Sequence, residues 1–177
     1  MNEFVTEALQ ADDIDSLFDQ MMTDYGQDIL QLTYSYVKNN AIAEDLTQEI
    51  FVKCYKALPS FERRSNPRTW LWRIAINHCK DYLRSWHHRN VMLTYEKEVE
   101  PASSEEVVEQ TVLKSEEDAQ LINAILQLSM KYREPIYLFY FQELSIKEIE
   151  SLTGVKRNTI KTRMRRALAL LKESLEG

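Results

Sequence analysis

The chain has 177 residues and a formal net charge of −6, with 44% hydrophobic and 28% charged residues, which is enough apolar material for one large or two small cored domains. Net acidity argues against a non-specific nucleic-acid binder, and no apolar run approaches the roughly 18 residues of a membrane span. Only 3 glycines and 4 prolines favour helices over turn-rich β structure.

The charge is unevenly placed. Residues 1–50 carry −10, residues 62–90 carry +5, residues 91–120 carry −7 and residues 156–177 carry +5. Two basic islands that attract phosphates therefore alternate with acidic stretches that oppose non-specific DNA binding or face basic partners. The acidic N-terminus, MNEFVTEALQADD, does not read as a signal peptide, so a cytoplasmic protein is expected. Cys54 and Cys79 form no paired motif and are expected to be reduced thiols.

Residues 1–12 read as a loose lead-in. Ile14, Leu17, Phe18, Met21, Met22 and Tyr25 then recur at helical spacing, Gly26 is expected to interrupt, and a second helix covers residues 29–37. A third helix is predicted over 41–58, stopped by Pro59, with Leu46, Ile50, Cys54 and Leu58 toward the core. Asp45, Gln48, Glu49 and Val52 share another face of it. Two carboxylates and an amide there suit a basic partner surface, although taken alone they read first as a solvated acidic face, the default for exposed charge.

Residues 59–66 read as a loop carrying Phe61, Arg63 and Arg64. Asn66 caps a fourth helix with Pro67 in its first turn, running to about residue 88. Leu71, Ile74, Ala75, His78 and Tyr82 make its expected buried side. Arg73, Asn77, Lys80 and Arg84 form a polar stripe able to track a phosphate backbone. Phe61 and Trp72 beside this stripe are open to either packing or base stacking, whereas Trp70 reads as core. The three histidines lack metal-ligand spacing with either cysteine, and no cofactor is expected.

Residues 91–114 read as a flexible acidic linker. Ser115 starts a new helix, and residues 132–141 make the next, with Ile136, Phe139 and Tyr140 expected to pack under a C-terminal helix pair. Over 145–172 the sequence reads SIKEIESLTGVKRNTIKTRMRRALALLK. Ser145 and Glu148 form a capping box, Ile146, Ile149 and Leu152 give one apolar side, and Gly154 can end the helix in a left-handed turn. Ile160, Met164, Leu168 and Leu171 then face inward, while Lys156, Arg157, Lys161, Arg163, Arg165, Arg166 and Lys172 face out. No acid occurs from residue 155 to 171. Two helices around a short glycine turn, the second basic, is the signature of a DNA-reading helix-turn-helix. The expected fold class is all-α, with an N-terminal helical bundle over 13–90 and a C-terminal helix-turn-helix domain over 115–177, joined by the 91–114 linker.

With these motifs in place, the chain resembles the extracytoplasmic-function (ECF) sigma factors of the sigma-70 family. The resemblance covers about residues 17–175. Residues 45–51, DLTQEIF, look like the family's polymerase-core-binding motif. Residues 69–77, TWLWRIAIN, followed by DYLR at 81–84, look like its promoter-melting and minus-10-reading helix. YREPI at 132–136 with LSIKEI at 144–149 look like the start of its fourth region, and NTIKTR at 158–163 looks like its minus-35-reading helix. Departures are Glu150 where the family usually has Ala, Lys156 in place of the usual capping Ser, and Ser129 where Pro is common.

The resemblance implies a non-enzymatic factor with RNA polymerase core, promoter DNA and an anti-sigma factor, often membrane-bound, as partners, and no small-molecule substrate. It implies core-polymerase contacts through Asp45, Gln48, Glu49 and Val52, placed on the clamp. It implies minus-10 contacts through Phe61, Arg63, Arg64, Trp72, Arg73, Asn77, Lys80 and Arg84. Minus-35 contacts would come from Lys156, Arg157, Asn158, Thr159, Lys161, Thr162 and Arg165. The competing readings are a helix-turn-helix regulator that does not bind polymerase and a polymerase-binding adaptor that does not read DNA. The first leaves residues 41–90 without a role. No phosphate loop, metal cluster or nucleophile–base arrangement supports an enzyme.

Overall fold

The computed structural model describes residues 11–62, 66–93 and 115–177. Among them the chain forms seven α-helices and no strand, so the all-α class is as predicted. The linker stretch 94–114 lies outside the described residues, and residues 91–93 belong to the end of a helix rather than to a linker.

Helix α1 (Ala11–Val37) runs unbroken through Gly26, where two helices were expected. A glycine inside a helix costs about 1 kcal/mol relative to alanine. The flanking Met21, Ile29 and Leu32 are fully buried, and each contributes roughly 1.5–3 kcal/mol by leaving water, so packing outweighs the local preference. The helix stops at Lys38, left-handed at φ 53, whose N–H bonds Tyr34 O at 2.8 Å. Asn39 then caps α2 (Asn40–Ala57) by accepting from the Ile42 N–H. Leu46, Ile50 and Cys54 are buried as predicted, and Leu58 follows them in a 3-10 turn, Leu58–Ser60, at Pro59.

Helix α3 (Pro67–Leu93) begins where Asn66 Oδ1 accepts the Arg68 N–H at 2.9 Å. Leu71 and Ala75 are fully buried, while Ile74, His78 and Tyr82 are half-buried. Trp72, Ile76 and Cys79 are also fully buried, so α3 buries more than the predicted stripe. Its wider buried surface follows from its setting, because α3 packs against α1 and α2 and also against the C-terminal helices through α6. Tyr25 of α1 meets the Trp72 ring edge-on, with centroids 5.4 Å apart.

The second group is α4 (Glu116–Gln127), α5 (Met130–Tyr140), α6 (Ile146–Thr153) and α7 (Arg157–Glu176). Ser115 caps α4 by accepting the Asp118 N–H. In α5, Ile136 is buried as expected. Tyr140 is exposed instead, and Leu138 is fully buried, because α5 packs on α1 as well as on α7 and needs apolar groups on more than one side. In α7, Leu168, expected to face inward, is exposed, and Ala167 is buried in its place. At 100° per residue, a position seven on from Ile160 returns almost in line, whereas one eight on lies far round the helix.

Candidate nucleic-acid and polymerase interfaces

The α6–α7 pair is built as its residues dictate. Ser145 Oγ accepts the Glu148 N–H and Glu148 Oε2 accepts the Ser145 N–H, the complete capping box. Gly154 closes α6 at φ 76, and its N–H bonds Glu150 O. Ile160, Met164, Ala167 and Leu171 anchor α7. This leaves Lys156, Arg157, Asn158, Thr159, Lys161, Thr162 and Arg165 all exposed along the first half of α7. Asn158, Lys161, Thr162 and Arg165 share one face, with Thr162 Oγ1 donating back to Asn158 O.

Lys156 occupies the N-cap position of α7 and makes no side-chain capping bond. The cap comes from upstream instead. Glu150 Oε2 accepts the Arg157 N–H at 2.9 Å, and Glu150 Oε1 accepts Arg157 Nε at 3.1 Å. These hydrogen bonds from the Arg157 backbone and side chain hold the Glu150 carboxyl below the usual carboxylate range. The two departures from the family pattern are thus coupled, the carboxylate at 150 serving a helix end that the lysine at 156 leaves uncapped.

On α2, Asp45, Gln48, Glu49 and Val52 are all exposed, Val52 at 52%. Glu49 Oε2 lies 2.6 Å from His78 Nε2 of α3, which ties this face to the next helix. Tyr55, also exposed, extends the face one turn further and donates its hydroxyl to Asp15 Oδ1 at 2.8 Å. Its spacing three residues after Val52 was the available signal for including it.

The residues expected at the minus-10 element are divided. Asn77 and Arg84 are exposed, Arg84 beside Asp81 at 3.3 Å. Arg73 is exposed but donates to Ser151 Oγ of α6 at 3.2 Å. Lys80 is half-buried and pairs with Glu134 of α5 at 3.2 Å. Trp72 is fully buried and donates its indole N–H to Gln142 Oε1 at 3.1 Å. Phe61 is buried, its ring 4.7 Å from that of Trp70. Arg63 and Arg64 lie outside the described residues.

The seam between the two helical groups carries buried polar residues that the sequence did not single out. Arg133 is 5% exposed and donates to Ser35 O, Tyr36 O, Leu126 O and Leu128 O. Those carbonyls belong to the last turns of α1 and α4, where helix dipoles concentrate negative charge. Burial works against the Arg133 charge, and the four carbonyls offset that cost. Beside it, the Tyr36 hydroxyl donates to Glu134 Oε2 at 2.6 Å, and burial, then Glu134, pushes the Tyr36 pKa well up. An apolar cleft runs along the seam, lined by Leu30, Tyr34, Ile122, Ile125, Tyr137 and Phe141. Among the described residues there is no group of three or more His, Cys, Asp or Glu able to hold a metal, and no helix long and apolar enough to cross a membrane.

Comparison with known proteins places these surfaces in context. Residues 21–89 match the family model of Sigma-70 region 2, and residues 118–171 match that of Sigma-70, region 4. The chain is 34% identical over 160 residues to the RNA polymerase sigma factor SigV of Bacillus subtilis, covering 87% of this chain and 88% of that protein. It is 32% identical over 163 residues to the ECF RNA polymerase sigma factor SigW of the same organism, covering 85% and 84%. Among solved structures it resembles the sigma factor RpoE of Bartonella quintana in complex with the anti-sigma factor NepR, at a TM-score of 0.74 and 25% identity, covering 91% of this chain and 98% of that one. An acidic α2 face, a basic α3, and a helix-turn-helix with a basic second helix occur here in the order of the two matched regions, and the chain belongs to the sigma-70 family as an ECF RNA polymerase sigma factor.

Proposed function

We propose that residues 13–90 form the module that binds core polymerase and the minus-10 element, and that residues 115–177 form the module that reads the minus-35 element. In this reading Asp45, Gln48, Glu49 and Val52 dock on the polymerase clamp. Arg63, Arg64, Arg73, Asn77, Lys80 and Arg84 hold the minus-10 backbone, with Phe61 and Trp72 meeting unstacked bases. Lys156, Arg157, Asn158, Thr159, Lys161, Thr162 and Arg165 enter the major groove at minus-35. The protein contributes positioning and DNA recognition in the cytoplasm, and the polymerase carries out the chemistry.

The observation that carries this reading is the set of seven exposed polar and basic residues at the start of α7, on a helix anchored by four buried apolar positions. The minus-10 face has a further requirement. Gln142, Glu134 and Ser151 bond Trp72, Lys80 and Arg73. Promoter DNA reaches this face only after α5 and α6 leave it, and binding to core polymerase is the event that separates the modules. An anti-sigma protein does the opposite, holding the modules together across the apolar cleft at the seam. Support for that partner is the likeness to a relative solved in complex with an anti-sigma factor. A stress or envelope-response regulon fits such control.

DNA footprinting with and without core polymerase tests the division of labour. Protection at both elements is expected only with core present. Protection of both elements by the free protein would overturn the requirement for separation.

A further inference from the structure

Four backbone N–H groups at the start of any helix lack partners within it. At α7 one of them, on Arg157, is taken by the carboxylate of Glu150, seven residues upstream across the turn. The same carboxylate holds Arg157 Nε with its other oxygen. Glu150 is also the residue whose carbonyl accepts the Gly154 N–H that closes α6, so one residue governs both sides of the turn.

Both partners are substantially exposed, Glu150 at 37% and Arg157 at 51% of their side chains. Exposed ion pairs contribute little to stability. What this pair does contribute is orientation. A free arginine samples many rotamers, whereas here the backbone and Nε contacts fix the plane of the guanidinium. Nε is occupied, which leaves the two Nη groups of this half-exposed side chain as its remaining donors. Paired arginine donors fit the O6 and N7 acceptors of guanine in the major groove. The carboxylate beside them repels DNA phosphates and disfavours the alternative in which Arg157 turns to the backbone.

We propose that Glu150 is a positioning residue for promoter recognition, holding Arg157 so that it reads a guanine at one position of the minus-35 element. This inference rests on the reading of α7 as the minus-35 helix, and the experiment separates the two. The protein with purified core polymerase transcribes from a promoter library randomised across minus-35, and active sequences are read out. The variants are Glu150→Ala, the double variant Glu150→Ala with Lys156→Ser, and Arg157→Ala, each also measured by thermal melting.

A guanine preference at one position is expected for the unaltered protein and is lost in Arg157→Ala. Glu150→Ala is expected to weaken that preference about 5-fold or more, within the range that one bidentate arginine–guanine pair supplies. The double variant is expected to recover the melting temperature, because serine restores a cap, but not the base preference. A preference unchanged in Glu150→Ala, or recovered in full by the double variant, would show that Glu150 is only a helix cap and overturn the proposal. A guanine preference unchanged in Arg157→Ala would likewise overturn the proposal, whereas the absence of any sequence preference across minus-35 in the unaltered protein would overturn the assignment of α7 itself.

Discussion

Trp72 of α3 donates its indole N–H to the side-chain oxygen of Gln142, 3.1 Å away in the turn after α5. The bond joins the two regions of the family within one chain. Arg68 reinforces it, its guanidinium 4.5 Å above the Trp72 ring and donating to Gln142 O at 2.9 Å. The aromatic that the proposed function assigns to minus-10 DNA is here roofed by the turn after α5.

Removing the acceptor should open the roof. Gln142→Leu keeps much of the volume but strands the buried indole N–H, at a cost of roughly 1–3 kcal/mol. That corresponds to about a 5- to 150-fold shift toward separated modules. Tryptophan fluorescence should move to the red and the radius of gyration should grow. Single-stranded minus-10 DNA should bind more tightly than to the unaltered protein.

Arg133 is the larger stake in the same seam. Its guanidinium satisfies carbonyls at the ends of two helices from different regions. Arg133→Met removes these bonds and is expected to destabilise the folded chain by on the order of 3 kcal/mol, read as a lower urea midpoint. Arg133→Lys should recover only part of this, because an ammonium cannot reach four carbonyls with the geometry of a planar fork.

On α2, the acidic face predicts a charge-reversal effect. Close like-charge pairs at an interface cost several kcal/mol. Asp45→Lys is expected to weaken binding to core polymerase at least about tenfold, with α-helical content unchanged by circular dichroism. Binding of the free protein to minus-35 DNA should not change, since α7 is untouched.

The cysteines give a prediction about pH. Burial pushes Cys79 up to about 12 and Cys54 up to about 11, from an ordinary value of 9.0. Neither thiol should react with a thiol reagent at about pH 8 in the folded protein, and both should react in urea. The folded state keeps protons that the unfolded chain releases above about pH 9. Their contribution to stability is therefore full below about pH 9 and falls as the pH rises from there toward about 12.

How much of this was legible in the sequence depends on how far apart the interacting residues lie. The Ser145–Glu148 capping box, the Asn66 cap and Gly154 are local signals, and the structure places each as predicted. Gly26 misled because its local cost is small beside the burial of Met21, Ile29 and Leu32. Trp72 could not be assigned from its neighbours, because its partner Gln142 lies in the other region of the family. Arg133 and Glu134 were visible only as parts of a family motif, since the tyrosine and two of the four carbonyls they serve come from α1, far off in the chain. The loss of a cap at Lys156 was legible, but its replacement by Glu150 was not, because capping signals are sought within three residues and this one spans seven.

If this chain directs polymerase to promoters through α7, it should do so in a purified system. The direct test is run-off transcription with purified bacterial core polymerase on a pooled promoter library, with and without the protein, and with Arg157→Ala and Lys161→Ala. Discrete start sites that depend on the protein, share an upstream element, and weaken in both variants are expected. Absence of protein-dependent transcripts despite demonstrated binding to core would contradict this role.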